Sequence, residues 1–171
     1  MKGPENVILT KSTLGISCHN DIIFYLNEKF NGTLFEIGGN NQDTILLENY
    51  KNGLLNGRFY KRYPNNQLME VREYTQGRKN GKQIAYWENG NKRFEFIAKD
   101  DAYEGEMKEW TQDGKLFHWA HFKNGQEEGK QKLWYENGKI RANYVIINGK
   151  RYGLLGTKNC KNVSDSIIVV K

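Results

Sequence analysis

The chain has 171 residues, of which 37% are hydrophobic and 27% charged, and its formal net charge is +6. The share of hydrophobic residues suits a thin sheet with a solvated face better than a thick core. The sequence contains no apolar stretch of about 18 residues, so it predicts no membrane-spanning helix. The positive charge favours anionic surfaces, whether lipid, nucleic acid or acidic protein, without choosing among them.

The chain begins with residues 1–6, which lack the apolar core of a signal peptide. As written, the sequence therefore predicts a cytoplasmic protein, and export stays open if a signal peptide once preceded it. Val7 to Leu14 and Asp21 to Leu26 are short and rich in β-branched or aromatic residues, which favours strands over helices. We expect residues 1–32 to form an N-terminal cap with entry strands.

Glycines further along the chain recur at a fixed interval of 24 residues, at Gly57, Gly81, Gly105, Gly129 and Gly153. Two other columns keep the same step. One holds turn residues, Asn66, Gly90, Gly114 and Gly138, and the other is largely aromatic, Tyr50, Tyr74, Ala98, Phe122 and Ile146. A period in this range marks a repeat protein, in which each unit buries its apolar face only against its neighbours.

Each repeat has the pattern of a β-hairpin. In residues 129–149, two alternating runs flank Glu136-Asn137-Gly138, and Asn-Gly in that setting predicts a type I′ turn with positive φ at both residues. The second connection, for example Lys123 to Gly129, is longer and carries glycine at both ends, Gly125 and Gly129. We therefore expect tight turns along one edge of the sheet and looser loops along the other.

These features predict an all-β protein, an elongated single-layer antiparallel sheet of about five to six consecutive 24-residue hairpins with a cap at each end. A single repeat domain is expected over residues 1–171. Its predicted parts are the N-terminal cap at 1–32, a degenerate repeat at 33–56 with a broad turn at 38–41, regular repeats at 57–156 and a C-terminal cap at 157–171.

Candidate catalytic and metal-binding residues have spacings that argue against both roles. His118 and His121 are three apart on a predicted strand and point to opposite faces, whereas two strand ligands favour a spacing of two. Cys18 and His19 are adjacent in an extended segment and diverge, and no acidic residue is identifiable to orient the imidazole. About ten strands, on the order of 40 Å, separate Cys18 from Cys160, too far for a disulfide. We expect free thiols, no catalytic residue, no metal and no cofactor.

Aromatic residues cluster where the first strand of each hairpin ends, at Tyr63, Tyr86, Trp87, Trp110, Trp134 and Tyr135. Neighbours along a strand face opposite sides, so each adjacent pair is expected to place one ring on each face. Most of these rings are expected to be packing residues, and the sequence leaves the binding face open. The candidate binding residues are Trp87, Trp110, Trp134 and Tyr135, with Arg62 and Arg93 as polar neighbours.

The repeat unit, G-x-x-x-x-(Y/W)-(Y/W)-x-N-G followed by an alternating strand, resembles the MORN-repeat variant found in many bacterial proteins. GKQIAYWENGNKRFEF from Gly81 and GKQKLWYENGKIRANY from Gly129 carry it best. The segment DIIFYLNEKFNGTLFEI from Asp21 is similar to the entry segment of the YwqK-type antitoxin family. The resemblance covers about residues 18 to 155.

This resemblance implies no catalytic residue and two kinds of binding, since MORN modules are associated with protein or membrane-lipid binding and YwqK-type members with neutralising secreted toxins. One hypothesis is therefore a non-enzymatic interaction module, an antitoxin, immunity or scaffold protein that binds a toxin-like or other protein partner. The alternative is peripheral binding of anionic phospholipids through basic loops and exposed rings. Nucleic acid is disfavoured because Glu70, Glu73, Glu88 and Glu95 interleave with the basic residues. The unpaired end strands also predict an edge-to-edge homodimer as an option.

Overall fold

The computed structural model describes residues 7–38 and 43–156. The predicted cap at 157–171, Cys160 and most of the predicted broad turn at 38–41 lie outside these ranges. Within them, no helix is long and apolar enough to cross a membrane. The strands of the described residues are β1 (Val7–Thr10), β2 (Ile16–His19), β3 (Ile22–Tyr25), β4 (Glu28–Lys29), β5 (Gly32–Gly38), β6 (Asp43–Lys51), β7 (Leu54–Arg62), β8 (Leu68–Thr75), β9 (Arg78–Lys79), β10 (Gly81–Tyr86), β11 (Lys92–Lys99), β12 (Ala102–Trp110), β13 (Leu116–Lys123), β14 (Gln126–Trp134), β15 (Ile140–Ile147) and β16 (Lys150–Leu154).

In the described part of the chain, thirteen strands form one sheet in the order β1-β5-β6-β7-β8-β10-β11-β12-β13-β14-β15-β16, with β9 paired to β8. From β5 onward every pairing is antiparallel and joins neighbouring hairpin strands, which confirms the predicted hairpin ladder. β1 is the exception, because it runs parallel to β5 with Val7 opposite Gly32. β2, β3 and β4 form a separate small antiparallel sheet.

The 24-residue glycine column marks a bulge near the start of the first strand of a hairpin at Gly57, Gly105 and Gly129, whereas β16, which contains Gly153, pairs with β15 without a register shift. The pairing between β11 and β12 shifts register at Phe96, beside Gly105, whose φ is +72°. On the other side of the strand, Gly105 lies opposite Phe122, and Gly57 lies opposite Tyr74. The glycine column therefore faces the aromatic column across neighbouring strands, an arrangement in which a ring can cover backbone that glycine leaves exposed.

The connection predicted to be the looser one is in fact the shorter one. Lys123 pairs directly with Gln126, so the turn consists of Asn124 and Gly125 alone. Both residues have positive φ, +50° and +79°, which is the type I′ geometry. The prediction failed because the strand resumes at once and the second glycine, Gly129, belongs to its bulge. Turns of this kind, at residues 52–53, 76–77, 100–101, 124–125 and 148–149, form what we call the narrow-turn edge.

The turns predicted to be type I′ contain three residues instead. At residues 88–90 only Gly90 has positive φ, +87°, and the Trp87 amide donates to the Asn91 carbonyl at 2.8 Å. The Gly90 amide donates back to the Trp87 carbonyl at 2.9 Å. This is a three-residue turn closed by a left-handed glycine, so the type I′ prediction was wrong at this edge. Residues 64–66, 88–90, 112–114 and 136–138 form what we call the wide-turn edge.

The small sheet docks on the narrow-turn edge at its first turn. The Ile23 amide donates to the Gly53 carbonyl at 2.9 Å, and the Gly53 amide donates to the Phe30 carbonyl at 2.8 Å. Phe30 is 2% exposed, and its ring meets that of Tyr50 edge-on at 5.9 Å. Further along the ladder, the Gly125 amide donates in the same way to the carbonyl of Tyr103, which belongs to the preceding repeat. The small sheet therefore takes the place that a preceding repeat would have at Gly53.

Side chains alternate between two faces of the main sheet. The aromatic face, as we call it, carries a row of rings with centroids 4.4 to 5.8 Å apart, and these are Phe94, Phe96, Tyr103 and Phe122. Small or slender buried residues lie among them, including Ala98, Ala120 and Gln131. The opposite face carries Lys108 and Lys132, which both lie opposite Trp119, together with Lys82 and Lys130, and we call it the lysine face.

Candidate functional site

The predicted binding residues lie along the wide-turn edge. β10 ends at Tyr86 and β14 ends at Trp134, so Trp87 and Tyr135 begin the turns. The prediction that each adjacent aromatic pair would straddle the sheet assumed that both residues lie in a strand, and it does not extend to these two. Their backbone groups close the turns, as in the hydrogen bond from the Tyr135 amide to the Lys139 carbonyl at 2.9 Å.

Side chains of this edge reach from each turn to the next. The Trp87 indole nitrogen Nε1 donates to the Trp110 carbonyl at 3.0 Å, and the Tyr63 hydroxyl donates to the Tyr86 carbonyl at 3.0 Å. Asn89 adds a bond from Nδ2 to the carbonyl of Gln112 at 2.7 Å. Each bond spans 23 residues, so it links one repeat to the next. The polar end of the Trp87 ring therefore links neighbouring repeats of the ladder.

Cations stack on these rings. The Arg93 guanidinium carbon lies 4.9 Å from the centroid of the Trp87 ring, and Lys92 Nζ lies 5.5 Å from that of Trp110. Arg93 is exposed, whereas both tryptophans are half-buried. Such a cation over an indole face is worth about 0.5–1 kcal/mol at an exposed site. The structure thus brings Trp87, Trp110 and Arg93 together as one cluster, which we call the Trp87 cluster.

The other three predicted residues lie elsewhere along the same edge. Arg62 stacks on the Tyr60 ring at 5.8 Å and donates through Nη1 to the Asn66 carbonyl at 3.0 Å. Trp134 is half-buried at the end of β14. Tyr135 is 40% exposed and lines a groove of about 430 Å³. The predicted residues therefore form three groups along the edge: Arg62, the Trp87 cluster, and Trp134 with Tyr135.

The turn at residues 112–114 lies between the last two of these groups and differs from the other turns of the edge. Thr111 stands where other repeats place a ring, and Asp113 pairs with Lys115 at 2.6 Å. Hydrogen bonds from Lys115 and then Thr111 hold the pKa of Asp113 below its ordinary value, and Asp113 in turn raises the pKa of Lys115. Because the two charges compensate each other, this turn contributes little net charge to the edge.

His118 and His121 each contact a different neighbour. His118 Nδ1 lies 2.7 Å from a Glu109 carboxylate oxygen, and His121 Nδ1 lies 3.1 Å from the Glu128 carbonyl. The two histidines lie on opposite faces, as their spacing predicted, because His118 aligns with the buried Ala120 and His121 does not. Cys18 is exposed. Across residues 7–38 and 43–156, no group of three or more His, Cys, Asp or Glu could hold a metal.

Two ring clusters escaped the sequence reasoning. Trp119 lies on the lysine face opposite both Lys108 and Lys132, and Lys132 Nζ is 5.6 Å from its ring centroid. Beside it, Lys108 lowers the pKa of Glu106. Tyr103, 39% exposed, continues the row of the aromatic face. Neither ring recurs at the 24-residue step, so the repeat pattern gave no signal for them.

Comparison with known proteins bears on one part of the ladder. Residues 127–144 match the MORN repeat variant. The matched residues contain most of β14, the turn at 136–138 and the first half of β15. The MORN-repeat part of the resemblance is therefore supported at this hairpin. A comparison with curated protein sequences gave no match.

Proposed function

We propose that the protein is a non-catalytic protein-binding module whose partner contacts the wide-turn edge at the Trp87 cluster. MORN repeats are generally protein- or lipid-binding modules, which is compatible with this role. The observation that carries the proposal is the exposed Arg93 stacked at 4.9 Å on the half-buried Trp87. Tryptophan, tyrosine and arginine are the residues most enriched at the energetic centres of protein interfaces.

The partner is proposed to be a toxin-like protein that this chain neutralises, or a protein that it scaffolds. The similarity of residues from Asp21 onward to the YwqK-type entry segment motivates the antitoxin form. A partner with a carboxylate near an apolar contact would complement the Arg93 cation and the indole beneath it. Trp134 and Tyr135 extend the proposed contact along the same edge, and Arg62 extends it in the other direction.

Affinity capture from native cell extract tests this proposal with a matched pair of variants. Arg93→Glu reverses the exposed charge on the Trp87 cluster. Arg78→Glu makes the same change at an exposed arginine of the narrow-turn edge. We expect a protein that the parent and Arg78→Glu retain and Arg93→Glu loses. A protein retained equally by all three, or none retained by the parent, would contradict the proposal.

Binding to anionic membranes is the second candidate, favoured by the position of Lys92 and Arg93 over two indole rings at one edge. Each such cation near an anionic bilayer contributes about 1 kcal/mol, and the contribution falls with added salt. Flotation with phosphatidylserine vesicles at low and high salt separates the two functions. Salt-sensitive flotation that Arg93→Glu abolishes would favour the lipid; absence of flotation would remove it.

A further inference from the structure

Asparagine stands directly before glycine in turns of both edges, at Asn52, Asn89, Asn124, Asn137 and Asn148. Asparagine is a chemically labile residue, and a glycine after it offers a backbone nitrogen that no side chain shields. This nitrogen can attack the side-chain amide carbon of the asparagine once its N–H is free and the turn opens locally. Hydrogen bonds that hold the turn therefore slow the attack, and they differ from turn to turn.

At the wide-turn edge, hydrogen bonds within the turn hold both the attacking nitrogen and the asparagine side chain. The Gly90 amide donates to the Trp87 carbonyl at 2.9 Å, and Asn89 Oδ1 accepts from the Asn91 amide at 3.1 Å. The turn at residues 136–138 has the same pair of bonds, at 2.9 and 3.0 Å. These turns are therefore protected by their own geometry.

At the narrow-turn edge, the preceding repeat holds the turn instead. The Asn124 amide donates to the Glu104 carboxylate at 2.9 Å, and the Gly125 amide donates to the Tyr103 carbonyl at 2.9 Å. The turn at residues 52–53 is held by bonds from the same two amides, each at 2.8 Å. To open either turn, two hydrogen bonds to the preceding part of the fold must break.

The turn at Asn148 and Gly149 has the same backbone shape and neither of these bonds. Its two φ angles are +49° and +73°, against +50° and +79° at Asn124 and Gly125. Within the part of the chain that the structure describes, neither its asparagine amide nor its glycine amide donates to the preceding repeat. Both residues are exposed, and a Cβ built at Gly149 would meet no atom within 4 Å.

The side chains at the equivalent acceptor positions contact other residues. One period after Glu104 stands Glu128, whose carboxylate lies 3.9 Å from Lys123 Nζ. The residue before it, Glu127, accepts a hydrogen bond from Arg151 at 3.1 Å. The turn at residues 148–149 is thus held by the pairing of its own hairpin, β15 with β16.

We infer that Asn148 is a site of spontaneous covalent modification in which the Gly149 amide nitrogen is the nucleophile. The nitrogen loses its proton and forms a bond to Asn148 Cγ, while the bond from Cγ to the side-chain nitrogen breaks and that nitrogen leaves as ammonia. Water then adds to one of the two carbonyls of the resulting succinimide ring and opens it. The product is aspartate or isoaspartate at position 148, with one water consumed and one ammonia released.

The modification changes both the charge and the backbone of the last described turn. Either product adds a negative charge, and isoaspartate lengthens the backbone by one atom. A two-residue turn closes its hairpin only with positive φ at both residues, so the longer backbone should weaken the pairing of Ile147 with Lys150. The inference is independent of the proposed protein-binding function, and the wide-turn edge at the Trp87 cluster is unaffected by it.

Incubation of the full chain at mildly alkaline pH, followed by mass spectrometry of its proteolytic peptides, tests this inference. Asn124 is the internal control, because its turn has the same shape and differs in its two hydrogen bonds. We expect Asn148 to be converted at least about tenfold faster than Asn124 in the folded chain. In concentrated urea the two rates should agree within about threefold, because the hydrogen bonds are absent from the unfolded chain.

A pair of variants tests the cause of the difference. Glu104→Ala removes the acceptor of the Asn124 amide and should speed conversion of Asn124 about threefold or more, whereas Glu104→Gln keeps an acceptor oxygen and should retain the parent rate. Neither should change the rate at Asn148. Equal rates at the two asparagines of the folded parent would overturn the inference without any variant. So would a Gly149 amide as protected from hydrogen exchange as that of Gly125.

Discussion

Replacement of Gly105 by alanine tests the physical origin of the 24-residue period. Gly105 has φ +72°, and a Cβ built there meets no atom within 4 Å, so the substitution adds backbone strain without a steric clash. A left-handed conformation costs a non-glycine residue about 1–2 kcal/mol, and the stiffer unfolded chain offsets about 0.4–1 kcal/mol of that. We expect Gly105→Ala to lower the free energy of unfolding by about 1 kcal/mol.

Two matched variants separate strain from crowding. Gly105→Asn should cost about half as much as alanine, because asparagine visits the left-handed region more readily. Gly32→Ala should cost more than about 2 kcal/mol, because the added Cβ would collide with the Val7 carbonyl and displace β1. Urea unfolding measures all three, provided that tryptophan fluorescence and circular dichroism give coincident transitions. Alanine at position 105 without cost, or asparagine as costly as alanine, would refute the left-handed bulge.

Three further substitutions follow from the contacts. Trp87→Phe keeps a ring beneath Arg93 but removes the donor to the Trp110 carbonyl, and should lower the free energy of unfolding by about 1 kcal/mol. Tyr50→Phe removes the hydroxyl that donates to the buried Glu48 carboxylate at 2.9 Å, and should cost about 1.5–3 kcal/mol at neutral pH. Burial and Glu48 raise the pKa of Tyr50, so its neutral form stabilises the fold fully below pH 10.0 and progressively less above it. Arg93→Glu should change stability by less than about 1 kcal/mol while abolishing partner capture.

Alkaline titration of stability distinguishes the role of Tyr50 from loss of packing alone. Tyr50→Phe should lose less stability than the parent between about pH 10 and pH 12, since the ionising phenol is gone. An identical pH profile would mean that the raised pKa does not contribute. For Trp87→Phe, unchanged stability would remove the inter-repeat hydrogen bond from the account of the wide-turn edge.

The repeat period and the hairpins were predictable because they depend on local residues. Gly105 and its equivalents recur at one step, and every strand between two turns is short. The turn types were not predictable, since Asn-Gly suits both a type I′ turn and a three-residue turn closed by glycine. Which one forms at residues 88–90 depends on the bond between Trp87 and Asn91, and therefore on where the next bulge sets the register.

The candidate site was predictable in its residue types and not in its grouping. The sequence placed Trp87 and Trp110 at the ends of strands, but the stacking of Arg93 and Lys92 depends on a register shift within β10 and β11. Single rings such as Trp119 gave no repeat signal and needed the fold to place them.

Site-specific photocrosslinking in living cells tests the central claim, that a protein partner contacts the wide-turn edge at the Trp87 cluster. A photoreactive amino acid replaces Arg93 in one variant and Arg78 in its control, both exposed positions on opposite edges of the sheet. We predict a discrete crosslinked protein from position 93 and none from position 78. Crosslinks of equal yield from both positions, or from position 78 alone, would contradict the claim.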